Sequence, residues 1–236
     1  MHETTPLISR LKALVFDVDG TLYRQDLLRR AMFLHLLRSH ATHPVRGWRT
    51  ARLLQAYRRA QEHLRAAAPR DIASAQISLA SRRARVDRDA VVACVTRWIE
   101  EEPLSFLPRC IQPGLVEFLR ACKARGLRLG ALSDYPAHAK LEALGVAELF
   151  DVVLSAQDPE VDVFKPNPRG LVLAVERLGS TVSESLYVGD RLDVDVPTAE
   201  RAGVHCAIVS RHRASQGPSS HSFVNSYAEL HHRLFR

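Results

Sequence analysis

The chain has 236 residues, of which 46% are hydrophobic and 25% are charged. These proportions are typical of a globular protein, and the length suits one large domain or two small ones. No apolar run approaches the roughly 20 residues that cross a bilayer, and residues 1–10 lack the apolar centre of a secretion signal. The sequence therefore predicts a cytoplasmic protein with no membrane partner.

The net charge of +7 at neutral pH favours an anionic partner. The excess of basic residues is spread along the chain rather than concentrated in one segment, so nucleic acid is an unlikely partner. The four cysteines show no C-x-x-C spacing, which predicts structural thiols rather than a metal or disulfide framework.

Along the chain, short apolar runs alternate with helical patterns. The runs predict strands at residues 12–16, 127–132, 152–154, 186–188 and 204–209. The apolar periodicity predicts helices at residues 114–125, 137–144, 167–178 and 197–202. This alternation predicts an α/β fold with a Rossmann-like parallel sheet and helices on both of its faces.

Between the first and second predicted strands, the pattern is entirely helical. About three to five helices are predicted, with breaks near Pro44, Pro69 and Asp87. Two apolar stripes, one at residues 27, 28, 31 and 34 and one at 53, 54, 57 and 64, predict that this insert packs as its own small bundle. The predicted domains are an α/β core formed by residues 1–23 and 106–236 and an all-helical domain formed by residues 24–105.

The end of the chain carries a Ser-, His- and Arg-rich segment at residues 210–222, which predicts a loop. A last helix is predicted after it, because Ser226 and Glu229 have the spacing of a capping box.

Two carboxylates follow the first predicted strand directly, in Asp17-Val18-Asp19-Gly20-Thr21. Two acidic side chains two residues apart on a turn at a strand end can face one site. A calcium loop is the competing interpretation, but it needs an acidic or amide residue at 21, Gly at 22 and Glu at 28. Thr21, Leu22 and Leu28 occupy those positions, so the calcium loop is excluded.

Three later segments carry further candidate residues. Ser133 ends the second apolar run and is followed by Asp134, so a hydroxyl and a backbone N–H lie at a strand end. Lys165 precedes a helical pattern, and residues 189–195 place an acidic cluster after the predicted strand at 186–188.

In this combination, the chain resembles the haloacid dehalogenase superfamily, in its phosphatase branch with a helical cap inserted after the first strand. The resemblance rests on DVDGTL at 17–22, Ser133 in LSDYP, Lys165 in FKPNP and GDRLDVD at 189–195, in that order. It implies a magnesium-dependent phosphomonoester hydrolase that acts on a small phosphorylated metabolite through an aspartyl-phosphate intermediate.

The resemblance also implies a role for each matched residue. Asp17 is the implied nucleophile, and Asp19 is the implied general acid and then base. The implied Mg²⁺ ligands are Asp17, the Asp19 backbone carbonyl and Asp190. Lys165 holds Asp17 and the phosphoryl group together. The implied substrate-binding residues are Gly20, Thr21, Ser133, Asp134 and Lys165, and Asp195 and Asp193 are expected behind the metal ligands.

Single residues argue against two other activities of the same family. Asp19 disfavours carbon–halogen cleavage, because the dehalogenases do not keep an aspartate there. Residues 24–105 contain no lysine, which excludes the phosphonate-cleaving branch, because that branch uses a cap lysine. A sugar phosphomutase and a non-catalytic binding module stay open as alternatives, and either a monomer or a homodimer is compatible with the sequence.

Overall fold

The computed structural model describes residues 10–67, 69–210 and 221–236. Its centre is one sheet in the order β3-β2-β1-β4-β5-β6, in which every pair of neighbours is parallel. The strands are β1 Ala13–Phe16, β2 Arg128–Ser133, β3 Val152–Ser155, β4 Ser185–Gly189, β5 His205–Val209 and β6 His221–Val224. Because β1 lies between β2 and β4, the carboxyl ends of these three strands meet at one edge of the sheet.

Helices cover both faces of this sheet. The α-helices of the described residues are α1 Gln25–Ser39, α2 Pro44–Ala67, α3 Ile72–Ala84, α4 Arg88–Val95, α5 Leu115–Ala124, α6 His138–Ala143, α7 Arg169–Arg177, α8 Asp195–Ala202 and α9 Tyr227–Phe235. Successive side chains of a strand point to opposite faces. Leu14 and Phe16 accordingly pack in the core cluster of α5, α6 and α9, and Val15 packs in the cluster of α7 and α8.

The predicted fold class is confirmed by this sheet and its covering helices. β6 was not predicted: residues 221–222 of the expected loop belong to this strand, and residues 211–220 lie outside the described part of the chain. At α9, the Ser226 side chain accepts the Glu229 N–H at 3.2 Å, as the capping box requires. The Glu229 carboxylate accepts the N–H of Asn225 instead of that of Ser226.

The insert between β1 and β2 forms a small bundle, but α1 is not part of it. The helices α2, α3 and α4 share a buried cluster that includes Leu53, Tyr57 and Val91. Leu28 of α1 joins the core beneath the sheet edge, and Leu34 is 49% exposed. The prediction that both apolar stripes pack within one bundle was therefore wrong for α1, because Leu27 and Leu28 pack against the core and Leu34 is exposed.

The bundle is attached to the core by exposed and half-buried polar contacts. The Asp162 carboxylate accepts the backbone N–H groups of Asp71 and Ile72, both at 2.8 Å, at the start of α3. The domain limits at residues 24 and 105 stay a prediction. Among the described residues, no helix has the length and apolar character needed to span a membrane.

Candidate active site

The candidate site lies where β1, β2 and β4 end. Asp17 follows β1 directly, Ser133 is the last residue of β2, and Asp190 follows β4. Ligand sites of open parallel sheets form at this edge, where the strand order reverses. The topology therefore brings together three sequence segments that lie far apart along the chain.

Asp17 is held by a buried lysine. The Lys165 ammonium lies 2.5 Å from Asp17 Oδ1 and 2.8 Å from Asp195 Oδ1, and it donates to the Tyr187 hydroxyl at 3.1 Å. Tyr187 in turn donates to Asp195 Oδ1 at 2.8 Å. All four side chains are buried. Lys165 is thus the cation that joins the carboxylate after β1 to the carboxylate at the start of α8.

Asp19 is held by three different donors. Lys140 Nζ lies 2.6 Å from Asp19 Oδ1, and Ser133 Oγ donates to Asp19 Oδ2 at 3.0 Å. The Tyr23 hydroxyl donates to Asp19 Oδ1 as well. Asp17 and Asp19 therefore share the site but have separate positive partners, which gives the two carboxylates different electrostatic surroundings.

The turn between these carboxylates brings the backbone close to Asp190. Gly20 has φ +105°, and a Cβ at this position would lie 2.7 Å from the Asp190 Cγ. Only glycine accommodates both the dihedral angle and the approach. The Thr21 hydroxyl lies 2.9 Å from Asp17 Oδ2 and 3.4 Å from Asp190 Oδ1, so this turn places Asp17 and Asp190 next to each other.

Three carboxylates converge tightly enough to hold a cation. One oxygen each of Asp17, Asp190 and Asp195 lies within 4.8 Å of the others. Asp195 is already satisfied by Lys165, Tyr187 and two backbone N–H groups. Asp17 and Asp190 remain as oxygen ligands of the kind that Mg²⁺ prefers. The residues present therefore fit a magnesium ion.

The pKa values of the clustered carboxylates Asp17 and Asp190 are raised, because Lys165 offsets only part of the cost of burying them. Burial raises the pKa of Asp17 well above its ordinary value, and Lys165 offsets only part of that rise. Burial also raises the pKa of Asp190 to about 6, with a further contribution from Asp195. Burial would raise the pKa of Asp19 too, but Lys140 and the hydrogen bonds to Asp19 bring it below its ordinary value.

Two predicted site residues have other partners. The Asp134 carboxylate accepts Gln61 Nε2 at 3.0 Å and Arg65 Nη2 at 2.7 Å, so it links the strand end to α2. Asp193 lies outside the carboxylate cluster, with its side chain 71% exposed and paired with Arg191 at 2.6 Å. The structure thus brings Asp17, Asp19, Gly20, Thr21, Ser133, Lys165, Asp190 and Asp195 together, with the Asp134 side chain facing the cap helices.

Comparison with known protein families identifies the family of this chain. The model of the haloacid dehalogenase-like hydrolase family matches residues 11–203. The chain belongs to the haloacid dehalogenase-like hydrolases. This match confirms the family predicted from the four motifs.

Individual relatives of this hydrolase are phosphatases. A glyceraldehyde 3-phosphate phosphatase from Methanopyrus kandleri is 29% identical over 197 residues, which are 82% of this chain and 82% of the relative. A phosphoglycolate phosphatase from Escherichia coli K12 is 37% identical over 94 residues, 39% of this chain and 36% of the relative. A 2-haloacid dehalogenase structure from Pseudomonas syringae has a TM-score of 0.68 at 20% identity, covering 95% of this chain and 98% of that one, which shows a shared fold.

Three side chains of the hydrolase site were not predicted from the sequence. Tyr23 and Lys140 hold Asp19, and Tyr187 lies between Lys165 and Asp195. A tyrosine inside an apolar strand run indicates a buried hydroxyl that needs a partner, which was an available signal for Tyr187. Lys140 carried only a weak signal, as one of four lysines in the chain, in a short helix after Ser133.

Asp190 gives a prediction about the stability of this hydrolase. The pKa of Asp190 is about 6 in the folded chain, against its ordinary value of 3.8, so the unfolded chain loses this proton first as the pH rises. Stability is therefore lost between about pH 4 and pH 6. In EDTA at pH 7.5, the free energy of unfolding of Asp190→Asn should exceed that of the wild type by up to about 3 kcal/mol. Urea unfolding at pH 7.5 and at pH 4 measures this difference, which should fall below about 1 kcal/mol at pH 4.

Magnesium provides the control for this prediction. A ligand that binds only the folded chain stabilises it in proportion to the logarithm of its concentration. Wild type should gain stability on addition of Mg²⁺ at pH 7.5, and Asp190→Asn should gain less. A wild type that is as stable as Asp190→Asn in EDTA at pH 7.5 would contradict the raised pKa assigned to Asp190.

Proposed function

We propose that the protein is a magnesium-dependent phosphomonoester hydrolase that acts on a phosphorylated small molecule through an aspartyl-phosphate on Asp17. The observation that carries this proposal is the position of Asp17: its carboxylate is clamped by Lys165 and lies beside Asp190 at one end of a cavity of about 880 Å³. Asp19 and Lys165 line the same cavity. The phosphatase relatives support the same chemistry.

In the first half of the reaction, a carboxylate oxygen of Asp17 attacks phosphorus. The bond between phosphorus and the ester oxygen breaks, and that oxygen takes its electron pair and a proton from Asp19. A phosphate dianion close to Asp19 raises the pKa of this carboxyl, which favours the protonated form needed here. Lys165 neutralises part of the charge on Asp17 and the transferring group.

In the second half, water attacks the phosphorus of the aspartyl-phosphate. Asp19, now a carboxylate, accepts a proton from the water, and the bond between phosphorus and the Asp17 oxygen breaks to release phosphate. The three donors around Asp19 favour its charged form, which suits this step. Magnesium, held by Asp17 and Asp190, would supply positive charge against the phosphoryl oxygens.

The enzyme is tested most directly with p-nitrophenyl phosphate. Phosphate release should require Mg²⁺ and stop in EDTA. In Asp19→Asn, the good leaving group still departs, but water is not activated, so the phospho-enzyme accumulates. A rapid-mixing experiment should show a burst of one p-nitrophenol per enzyme and then turnover slowed on the order of 10²- to 10⁴-fold.

The matched control is Asp89→Asn, because Asp89 is exposed at the start of α4 and outside the cavity. It should turn over p-nitrophenyl phosphate as the wild type does. Steady turnover by Asp19→Asn without a burst, at the wild-type rate, would rule out Asp19 as the base. No phosphate release from any ester by the wild type would rule out the proposed function itself.

A further inference from the structure

The cavity above Asp17 extends between α1 and α2, well beyond the space that a phosphoryl group needs. Its volume is about 880 Å³, at the upper end of the roughly 300–1,000 Å³ of pockets that enclose drug-sized ligands. The gap follows from the packing described above, since α1 packs on the core and α2 packs with α3 and α4. A three-carbon phosphate would leave most of this cavity unfilled.

One wall of the cavity carries an apolar stripe. Leu28, Met32 and Leu36 of α1 line it, and their spacing of four residues places them along one face of the helix. At 1.5 Å per residue, this stripe is about 12 Å long. Trp98 and Ile99 close the cavity on another side. A substrate that fills this space therefore has an apolar body of comparable length.

The opposite wall is formed by one face of α2, from Ala51 to Arg65. The carboxyl-terminal part of this face lies at the catalytic end of the cavity, because Arg65 donates to Asp134 at 2.7 Å and to the Lys165 carbonyl oxygen. Positions nearer the start of α2 consequently lie farther from the phosphoryl site. Arg58 precedes Arg65 by seven residues, two turns or about 10 Å along the helix.

Arg58 is a cation with no protein partner in the part of the chain that the structure describes. Arg65 is paired with Asp134, and Arg191 is paired with Asp193. Arg29, Arg58 and Arg59 also line the cavity, and none of them makes an ion pair or hydrogen bond within residues 10–67, 69–210 and 221–236. Arg29 lies near the catalytic end, where its charge offsets part of the rise that burial causes in the pKa of Tyr23. Of the two on α2, Arg58 shares the helix face of Arg65, and Arg59 is turned about 100° away from Arg58. Guanidinium groups bind carboxylates and phosphates through paired hydrogen bonds. The Arg58 side chain therefore offers an anion site two helical turns from the phosphoryl end.

We propose that the leaving group of the substrate is an elongated organic anion. Its apolar body lies along Leu28, Met32 and Leu36, and a terminal anionic group, a carboxylate or a phosphate, binds Arg58, about 10 Å along α2 from Arg65 at the catalytic end. The proposal rests on the proposed phosphatase function and specifies its substrate class. Glyceraldehyde 3-phosphate and phosphoglycolate, named for the relatives, are too short to reach both ends.

A series of synthetic esters tests the length and the charge separately. The substrates are alkyl monophosphates with two, five or eight methylene groups, ending in a methyl group, a carboxylate or a second phosphate. With Mg²⁺, kcat/KM should rise along the series by about fourfold for each methylene group that becomes buried. For the longest chain, an anionic end should add on the order of tenfold over the methyl end. The carboxylate and phosphate arms show which anion Arg58 prefers.

Two variants with the same change of charge identify the anion site. Arg58→Gln should lose the preference for an anionic end over a methyl end. Arg49→Gln is the matched control, because nine residues separate it from Arg58, which places it on the opposite face of α2 and outside the cavity. It should keep the preference. Equal behaviour of the two variants, or a kcat/KM that is highest for the shortest chain, would overturn the proposal.

A binding measurement separates this proposal from the phosphatase proposal. The chain has two tryptophans; Trp98 lines the cavity, and Trp48 is 59% exposed and outside it. In Trp48→Phe, the fluorescence of Trp98 alone should change on binding of a non-hydrolysable phosphonate with an eight-methylene carboxylate chain. Binding without turnover would support the cavity assignment and count against the phosphatase. If the protein turns over p-nitrophenyl phosphate but the long phosphonate leaves the Trp98 fluorescence unchanged, the phosphatase proposal would be supported and the cavity assignment would be wrong.

Discussion

Asp17→Asn is expected to lower kcat for phosphomonoester hydrolysis by on the order of 10⁴-fold or more, as the loss of a catalytic nucleophile does. An amide oxygen is a poor nucleophile, and the covalent intermediate cannot form on it. Intact mass spectrometry after an acid quench should show one added phosphoryl group on Asp19→Asn and none on the double variant with Asp17→Asn. The same samples measure the burst of released alcohol.

The fold of Asp17→Asn must be intact for this result to bear on chemistry. Asparagine has the size of aspartate, and Lys165 keeps its contact with Asp195 at 2.8 Å. Burial makes a charge at position 17 costly. We therefore expect unfolding in EDTA at pH 7.5 to require at least as much urea as in the wild type. If this folded variant kept more than about a hundredth of kcat, Asp17 would not be the nucleophile.

Much of the fold could be predicted because its signals are local. Each of the strands β1 to β5 is a short apolar run, and motif residues lie at the carboxyl ends of three of them. The parallel topology then brings Asp17, Ser133 and Asp190 to one edge, which the family resemblance implied. β6 was missed because it follows a Ser- and Arg-rich segment and has the half-buried sequence His-Ser-Phe-Val.

The partners within the site depend on contacts that periodicity does not encode. Lys140 reaches Asp19 across 121 residues of sequence, and Arg65 reaches Asp134 across 69. Nothing in the local pattern of α2 distinguishes Arg65, which is paired, from Arg58, which is not. The same holds for α1: its apolar stripe correctly predicts a helix, but not whether that helix packs on the bundle or on the core.

Lys165→Met should have the largest effect on stability among the variants considered. Lys165 is 4% exposed and lies within 2.8 Å of both Asp17 and Asp195. Removing one partner of a buried ion pair typically costs about 3–5 kcal/mol, because the remaining charge is buried without compensation. Urea unfolding in EDTA at pH 7.5 should show a loss of this size. Lys12→Met, which breaks a pair whose lysine is 58% exposed, should cost no more than about 1 kcal/mol.

The pH dependence of Lys165→Met distinguishes uncompensated charge from lost packing. Without the ammonium, the carboxylates of Asp17 and Asp195 should have higher pKa values in the folded chain than in the unfolded chain. A group with a raised folded-state pKa favours folding at low pH and loses that contribution as the pH rises. The deficit relative to wild type should therefore shrink from pH 7.5 to pH 5. A deficit that is the same at both pH values would mean that Lys165 contributes through packing of its alkyl chain, and that the cluster does not depend on it for charge.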